Sequence, residues 1–165
     1  MSDNRYRPHI VVLPEDDANR QIANGFRLHF AVMQRAITVL PIAGGWIKVV
    51  NRFQSELSPT MVSNPHRHLV LLIDFDRAAD RFQSVNNAIL PQLRDRVFVL
   101  GILTQPEDLY SAGLPTKEKL GEALASECFQ GRHELWNHKL LAHNNPEVTR
   151  MSSTLRKIIF DASHQ

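Results

Sequence analysis

Four short apolar runs constrain the fold of this chain more than any other feature of its sequence. They cover residues 9–14 (HIVVLP), 36–42 (AITVLPI), 68–75 (HLVLLIDF) and 96–103 (RVFVLGIL). Each run is rich in Val, Ile and Leu and lacks apolar/polar alternation, a pattern typical of strands that are buried on both faces. The runs therefore predict a parallel sheet covered by helices rather than an antiparallel sandwich.

The segments between the runs have the apolar period of helices. Right-handed crossovers would wind this order into an α/β fold with a small, mostly parallel sheet of about four strands flanked by helices. Pro91 is expected to end or kink the third helix early, because proline lacks an N–H group. The apolar positions are Ile22, Phe26, Phe30 and Met33 in the first segment, Trp46, Val49, Val50, Phe53 and Leu57 in the second, and Phe82, Val85, Ile89 and Leu93 in the third.

The last third of the chain has helical patterns only, and no Pro- or Ser-rich linker separates it from the runs. We therefore expect one domain over residues 1–165, with an α/β core over 7–109 and a helical extension over 110–165. This extension is expected to pack on the sheet or against a partner. Its apolar positions are Leu120, Leu124, Cys128, Trp136 and Leu140, followed by Val148, Met151, Leu155, Ile158 and Ile159.

Composition excludes several classes of protein. The 19 basic and 17 acidic residues leave a formal charge of +2, so any nucleic-acid surface must be local. The single cysteine, Cys128, forms no internal disulfide, and no CxxC pair builds a zinc ribbon or redox dithiol. The N-terminus lacks the apolar region of a signal peptide, and no stretch approaches the roughly 20 apolar residues of a membrane helix. We expect a cytoplasmic protein without a membrane segment.

Acidic residues follow the first and third runs directly. Glu15, Asp16 and Asp17 come after the first, and Asp74 and Asp76 close the third. The ends of parallel strands form the ligand crevice of an open α/β sheet, and neighbouring strands lie about 4.8 Å apart, so these carboxylates could share one Mg²⁺. Helix capping accounts equally well for Asp16, Asp17 and Asp76, but it does not explain Asp74 inside a buried strand.

This combination of motifs resembles the TOPRIM fold, the catalytic domain shared by topoisomerases, bacterial primases, recombination-mediator proteins and overcoming-lysogenization-defect nucleases. The family's glutamate after the first strand looks like Glu15, and its Asp-x-Asp after the third strand looks like Asp74 and Asp76. Its Gly-rich turn after the second strand is similar to Gly44 and Gly45. The resemblance covers the predicted α/β core and is greatest to the nuclease-type members.

The resemblance implies metal-dependent phosphodiester chemistry on DNA or RNA. Asp74 and Asp76 would hold Mg²⁺ or Mn²⁺, and Glu15 would act as general acid/base or as a further metal ligand. Glu107 looks like the further acid that follows the fourth strand in nuclease-type members. The chain departs from the family pattern where most members have glycine, with Asp16 after the glutamate and Arg77 after the Asp pair.

The chain carries no tyrosine-bearing topoisomerase domain and no primase zinc module. The resemblance therefore implies a small nuclease-like hydrolase, acting alone or as a subunit of a larger system with a partner such as an ATPase. A homo-oligomer is also compatible with the sequence.

Basic residues and glycines near the predicted crevice are candidate phosphate ligands. Gly44 and Gly45 lead into a helix with Lys48 in its first turn, which would favour an anion. The glycines would equally serve a tight turn alone. Arg77 and Arg81 follow the Asp pair four residues apart, where they would contact a phosphate or simply form a solvated helix face.

Two other functions compete with a nuclease. Residues 11–20 are also similar to a response-regulator receiver domain, with Asp74, Thr104 and Lys117 in the roles of its phosphoacceptor site. The 57 residues between Asp17 and Asp74 and the absence of a fifth strand pattern argue against this alternative. A non-catalytic interaction or regulatory subunit would instead dock on a larger protein through helices over residues 117–160.

Overall fold

The computed structural model describes residues 6–160; residues 1–5, part of the N-terminus that lacks a signal-peptide pattern, and 161–165 lie outside the described range. Within it, four strands alternate with helices, as the apolar runs predict. The strands are β1 (His9–Pro14), β2 (Ile37–Val39), β3 (Arg67–Leu72) and β4 (Val97–Leu100). The helices are α1 (Asp17–Leu28), α2 (Trp46–Arg52), α3 (Ser58–Ser63), α4 (Ala79–Asn87), α5 (Pro106–Ser111), α6 (Lys117–Gln130) and α7 (Asn145–Ile159).

All four strands are parallel and lie in the order β2-β1-β3-β4, which confirms the α/β class. Strand β1 is central, because Val12 pairs with Val39 on one side and with Val70 on the other. The chain leaves β1 toward one edge of the sheet to form β2 and then crosses to the other side for β3 and β4. Ligands of open α/β sheets bind at such a switch point, here between the carboxyl ends of β1 and β3.

Helices cover both faces of the sheet, which explains why the strand sequences are apolar throughout. Alternate residues of β1 enter different cores. Ile10 and Val12 pack with α1, α5, α6 and α7. Val11 and Leu13 pack with α2, α3, α4 and the π-helical turn Phe53–Leu57 that joins α2 to α3. Every residue of β1 is therefore buried.

The helical extension packs against the α/β core. Helix α6 packs so closely on α1 that a Cβ atom at Gly121 would lie 1.9 Å from the carbonyl oxygen of Ile22. The apolar face of α7, including Val148 and Leu155, is buried in the same core. The predicted packing on the sheet is thus confirmed, and the apolar face of α7 is not available to a partner.

Several element boundaries differ from the sequence prediction. Helix α1 ends at Leu28, because the chain turns there so that Val32 bridges to Phe160. This turn leaves Phe30 and Met33 outside the helix and exposed. Strand β2 stops before Pro41, which has no N–H group to continue the ladder. Helix α4 ends at Asn87, before a 3₁₀ turn begins at Pro91, as the proline predicts.

Trp136 and Leu140 were expected on a helix, but they are buried in turns between α6 and α7. Gly131 ends α6 in the left-handed conformation, with φ 70°. The buried Glu127 carboxylate then accepts hydrogen bonds from the backbone N–H groups of Leu135, at 2.8 Å, and Trp136, at 3.3 Å. These bonds stabilise the turn conformation.

Among the described residues, no helix combines the length and the apolar character needed to cross a bilayer.

Gly121→Ala is expected to destabilise the protein by at least about 2 kcal/mol, although alanine is the better helix former by about 1 kcal/mol, because the added Cβ would overlap the backbone of α1. Urea unfolding measures the change. Glu122→Ala, at the exposed neighbouring position, is the control and should shift stability by less than about 0.5 kcal/mol. A Gly121→Ala protein as stable as the wild type would contradict the close α1–α6 packing.

Candidate acidic site at the sheet edge

The carboxyl ends of β1 and β3 bring Glu15 and Asp74 into direct contact. The backbone N–H of Glu15 donates to the carbonyl oxygen of Leu72 at 2.9 Å, which continues the strand pairing by one residue. The Glu15 side chain then crosses to the neighbouring strand, where its Oε2 accepts a hydrogen bond of 2.7 Å from the backbone N–H of Asp74. Two of the predicted site residues therefore meet, 59 positions apart in sequence.

Asn19 joins a third acid, Asp16, to this pair. Its Nδ2 atom donates to Asp16 Oδ1 at 3.0 Å and to Asp74 Oδ1 at 3.1 Å. The backbone N–H of Asn19 also donates to Asp16 Oδ1 at 2.9 Å, so Asp16 caps α1 as well. Capping and membership of the acidic cluster are thus compatible roles for Asp16. Asp17 is exposed and pairs with Arg20 instead.

Sequence reasoning missed Asn19, which is only 2% exposed. Its signal in the sequence is a polar side chain three residues after a helix cap. That spacing predicts a cap partner, but it does not indicate that the amide reaches another strand.

Burial makes the Asp74 carboxylate difficult to ionise. The residue is 8% exposed, and its pKa is raised to about 7, chiefly by desolvation. The hydrogen bond from Asn19 lowers the pKa, whereas the neighbouring charges of Asp16 and Glu15 raise it. The pKa of Glu15 is also raised by desolvation, which outweighs the bond from the Asp74 amide. A proton or a cation at this cluster would relieve its concentrated negative charge.

The second carboxylate of the Asp-x-Asp motif lies in different surroundings. Asp76 is exposed, with φ 49°, and Arg77 follows with φ 54°. Two successive non-glycine residues in the left-handed region carry backbone strain of roughly 1–3 kcal/mol each. Within residues 6–160, no group of three or more His, Cys, Asp or Glu side chains is placed to hold a metal ion. Hydrogen bonds link Glu15 to the Asp74 amide and Asp16 to the Asp74 carboxylate through Asn19, whereas Asp76 is exposed in the turn that follows.

Four of the predicted phosphate ligands lie beside the acidic cluster. Gly44 donates its N–H to the Glu15 carbonyl oxygen at 2.8 Å, and a Cβ there would touch the Lys48 side chain at 3.6 Å. Gly44 and Gly45 have φ of 92° and 141°, so the turn itself requires glycine. Arg81 donates to the carbonyl oxygen of Asp74. The fifth, Arg77, is exposed in the turn after β3.

The remaining candidates follow β4. Glu107 is exposed in the first turn of α5 and lines a cleft with Ala18 and Lys117, beside the start of α1. Lys117 has φ 52°. The pKa of Asp17 is lowered chiefly by its hydrogen bond from Arg20, and the charge of Lys117 adds a small part. Thr104 is 4% exposed, and its hydroxyl has no hydrogen-bond partner within residues 6–160.

The backbone that carries Asp74 is held by the C-terminal third of the chain. The N–H of Gly101 donates to Asn144 Oδ1 at 3.0 Å, and Asn144 Nδ2 donates back to the Gly101 carbonyl at 2.8 Å. A Cβ at Gly101 would lie 1.6 Å from the Ile73 carbonyl oxygen, so only glycine permits this approach. His143 packs edge-on against the Phe75 ring, with centroids 5.0 Å apart. These long-range contacts were not predicted.

Comparison with protein-family models, curated proteins and solved structures finds no match to this chain. The TOPRIM resemblance therefore remains a prediction from the motifs, and the function is argued from the geometry of the site.

Asp74→Asn is expected to stabilise the protein relative to the wild type at about pH 8 and to do so less at about pH 5. The folded state holds the Asp74 proton more tightly than the unfolded state, so the wild type loses stability as pH rises from the ordinary aspartate pKa, near 3.9, to about 7. Asparagine lacks this ionisation. The stability of Asp74→Asn relative to the wild type should be greater at pH 8 than at pH 5 by at least about 1 kcal/mol.

Urea unfolding at the two pH values measures this change. Asp95→Asn is the matched control, because Asp95 is exposed and precedes β4 at the opposite edge of the sheet. A stability difference between Asp74→Asn and wild type that is the same at both pH values would contradict the assignment.

Proposed function

We propose that this protein cleaves phosphodiester bonds of nucleic acid in a Mg²⁺-dependent reaction at the carboxyl ends of β1 and β3. The observation that carries the proposal is the buried Asp74 carboxylate, which is held at the switch point against Asp16 and Glu15 with its pKa raised to about 7. A buried acid with like-charged neighbours at a ligand crevice is typical of functional sites. An apolar residue at position 74 would make the fold more stable, so stability alone does not explain an aspartate there.

The donor chemistry of the cluster suits Mg²⁺, which prefers carboxylate oxygens and commonly takes one or two of them together with water and substrate phosphate. Asp74 and Asp16 would hold the ion, since one Asn19 nitrogen bonds to an oxygen of each. Asp76 is the further ligand implied by the resemblance. When bound, the ion neutralises charge on the phosphate and lowers the pKa of a water molecule.

Glu15 is the proposed proton-transfer group, with metal ligation as its alternative role. Its Oε2 is fixed by the Asp74 amide, and its pKa is raised by desolvation. A carboxyl with a pKa closer to neutrality is a more effective general acid or base at physiological pH. Arg81 and Lys48 would hold the phosphate beside these acids, since both cations lie at the same edge.

The wild type is expected to cleave DNA or RNA in Mg²⁺ or Mn²⁺, and Asp74→Asn and Glu15→Gln to reduce the rate at least about 100-fold. Cleavage of supercoiled, linear and single-stranded DNA and of RNA is the measurement. Asp76→Asn tests the second acid without added strain, because asparagine tolerates φ near 49°. The control Asp95→Asn should retain full activity.

A second readout does not depend on turnover. Mg²⁺ should raise the Tm of the wild type at about pH 8 and raise that of Asp74→Asn less, because the variant lacks one ligand. Full metal-dependent cleavage by folded Asp74→Asn protein would overturn the proposal.

A receiver-like phosphoacceptor is the second candidate, and the buried unpaired hydroxyl of Thr104 favours it. Thr104 follows β4, which lies next to the strand that carries Asp74. The sheet order β2-β1-β3-β4 is also the order of the first four strands of receiver-like folds. In this reaction an Asp74 oxygen would take the phosphoryl group of acetyl phosphate and acetate would leave.

Acetyl phosphate with Mg²⁺ is expected to label Asp74 if this second function is correct, and intact-mass and peptide mass spectrometry measure the label. Thr104→Val should slow labelling, because it removes the hydroxyl that would bind the phosphoryl group. Unlabelled wild-type protein would exclude the receiver-like function and leave the nuclease proposal.

A further inference from the structure

An exposed apolar and basic patch borders the acidic cluster. It lies on the turn between β2 and α2 and consists of Ile42, Trp46, Ile47 and Lys48. Ile42 is 45% exposed and Ile47 is 58% exposed, and Trp46 is half-buried at the start of α2. Large apolar side chains left in water next to a polar crevice indicate a binding surface.

Backbone hydrogen bonds fix this patch to the site. Ala43 donates to the carbonyl oxygen of Pro14 at 3.0 Å, and the Gly44 N–H donates to that of Glu15. The backbone N–H of Trp46 also lies near the Glu15 carboxylate, where desolvation raises the pKa and this amide opposes the rise only slightly. The indole ring therefore belongs to a residue that neighbours the Glu15 side chain.

Arg81 links the Trp46 ring to Asp74. Its guanidinium lies 5.1 Å from the centre of the indole ring and donates to the carbonyl oxygen of Asp74. An aromatic face next to a cation offers both of the contacts that an unpaired nucleotide needs, namely stacking for the base and an ion pair for the phosphate.

Core packing does not require Trp46 to be aromatic. Val49 and Phe53, on the same face of this helical segment, are 0% and 1% exposed and fill the core beneath it. Trp46 contacts the edge of that core but is only partly buried. The core beneath α2 is therefore filled by other side chains, and a partly buried tryptophan at this position is accessible to a ligand.

We propose that Trp46 stacks on an unpaired base while Arg81 and Lys48 bind the adjoining phosphate, so that the preferred ligand is a single strand of DNA or RNA. The inference rests on the proposed function, because it names the substrate class of the same site. A duplex presents such a base only after unstacking and unpairing, which costs a few kcal/mol. The local cations also supply a nucleic-acid surface that the formal charge of +2 does not indicate.

The first experiment measures binding in EDTA, where no cleavage occurs, by fluorescence anisotropy of labelled oligothymidine, oligouridine and a duplex of equal length. The wild type is expected to bind at least one single strand about 10-fold or more tightly than the duplex. The oligothymidine and oligouridine arms distinguish DNA from RNA. Trp46→Ala should weaken single-strand binding by about 5- to 100-fold, and Trp46→Phe, which keeps an aromatic face, should restore most of it.

Phe30→Ala is the control, because Phe30 is a 71% exposed aromatic residue beyond the far end of α1. It should leave single-strand binding unchanged.

A second measurement tests the role of Trp46 without relying on correct folding of the Trp46→Ala variant. In Trp136→Phe protein, Trp46 is the remaining tryptophan, and a stacked base is expected to quench its fluorescence.

The outcomes separate this inference from the proposed function. Equal affinity for duplex and single strands, or single-strand binding that neither requires nor quenches Trp46, overturns the inference even if Mg²⁺-dependent cleavage is found. Trp46-dependent binding of a single strand supports the inference. If no cleavage is detected in any metal, the nuclease proposal fails but the single-strand inference still stands.

Discussion

The parallel pairing of β1 with β3 is the constraint on which the rest of the structure depends. The two strands pair over their full length, from His9 with Arg67 to Pro14 with Leu72. Parallel strands end at the same edge, so this register places the acids that follow β1 beside those that follow β3. A shift by one residue would turn every side chain of the strand to the opposite face, so that Val11 and Val12 would each enter the wrong core. The same core packing that stabilises the sheet therefore positions Glu15 against Asp74.

Burial of Asp74 opposes stability, and several contacts limit its cost. Asn19 donates to the carboxylate, and Arg81 binds the carbonyl of the same residue. The Asn144–Gly101 pair holds the neighbouring end of β4, which in turn bonds to the backbone on both sides of Asp74. The helical extension thus supports the site as well as the core. These contacts hold a strained, charge-rich segment of backbone in place.

Charge at this edge is organised locally. The acids lie at the carboxyl ends of β1 and β3, while Lys48 and Arg81 lie nearby with the Trp46 ring. A negatively charged substrate would meet these cations first, and its approach to the carboxylates then requires a proton or a metal ion between them. The proposed Mg²⁺ dependence follows from this separation of charge, whereas the proposed single-strand preference depends on the Trp46 ring beside the cations.

Local patterns in the sequence were enough to predict the order of strands and helices along the chain, the parallel sheet and the break at Pro91. They also placed Glu15 and Asp74 at strand ends, because apolar period, proline geometry and spacing are all local features. Tertiary structure alone decided that α1 ends before Phe30, that Trp136 is buried in a turn, and that Asn19 reaches Asp74 across 55 positions. Periodicity records how deeply a residue is buried, but it does not record which distant group satisfies a buried polar atom. That choice depends on how helices pack on the sheet, so Asn19 and Asn144 could not be identified from their neighbours in sequence.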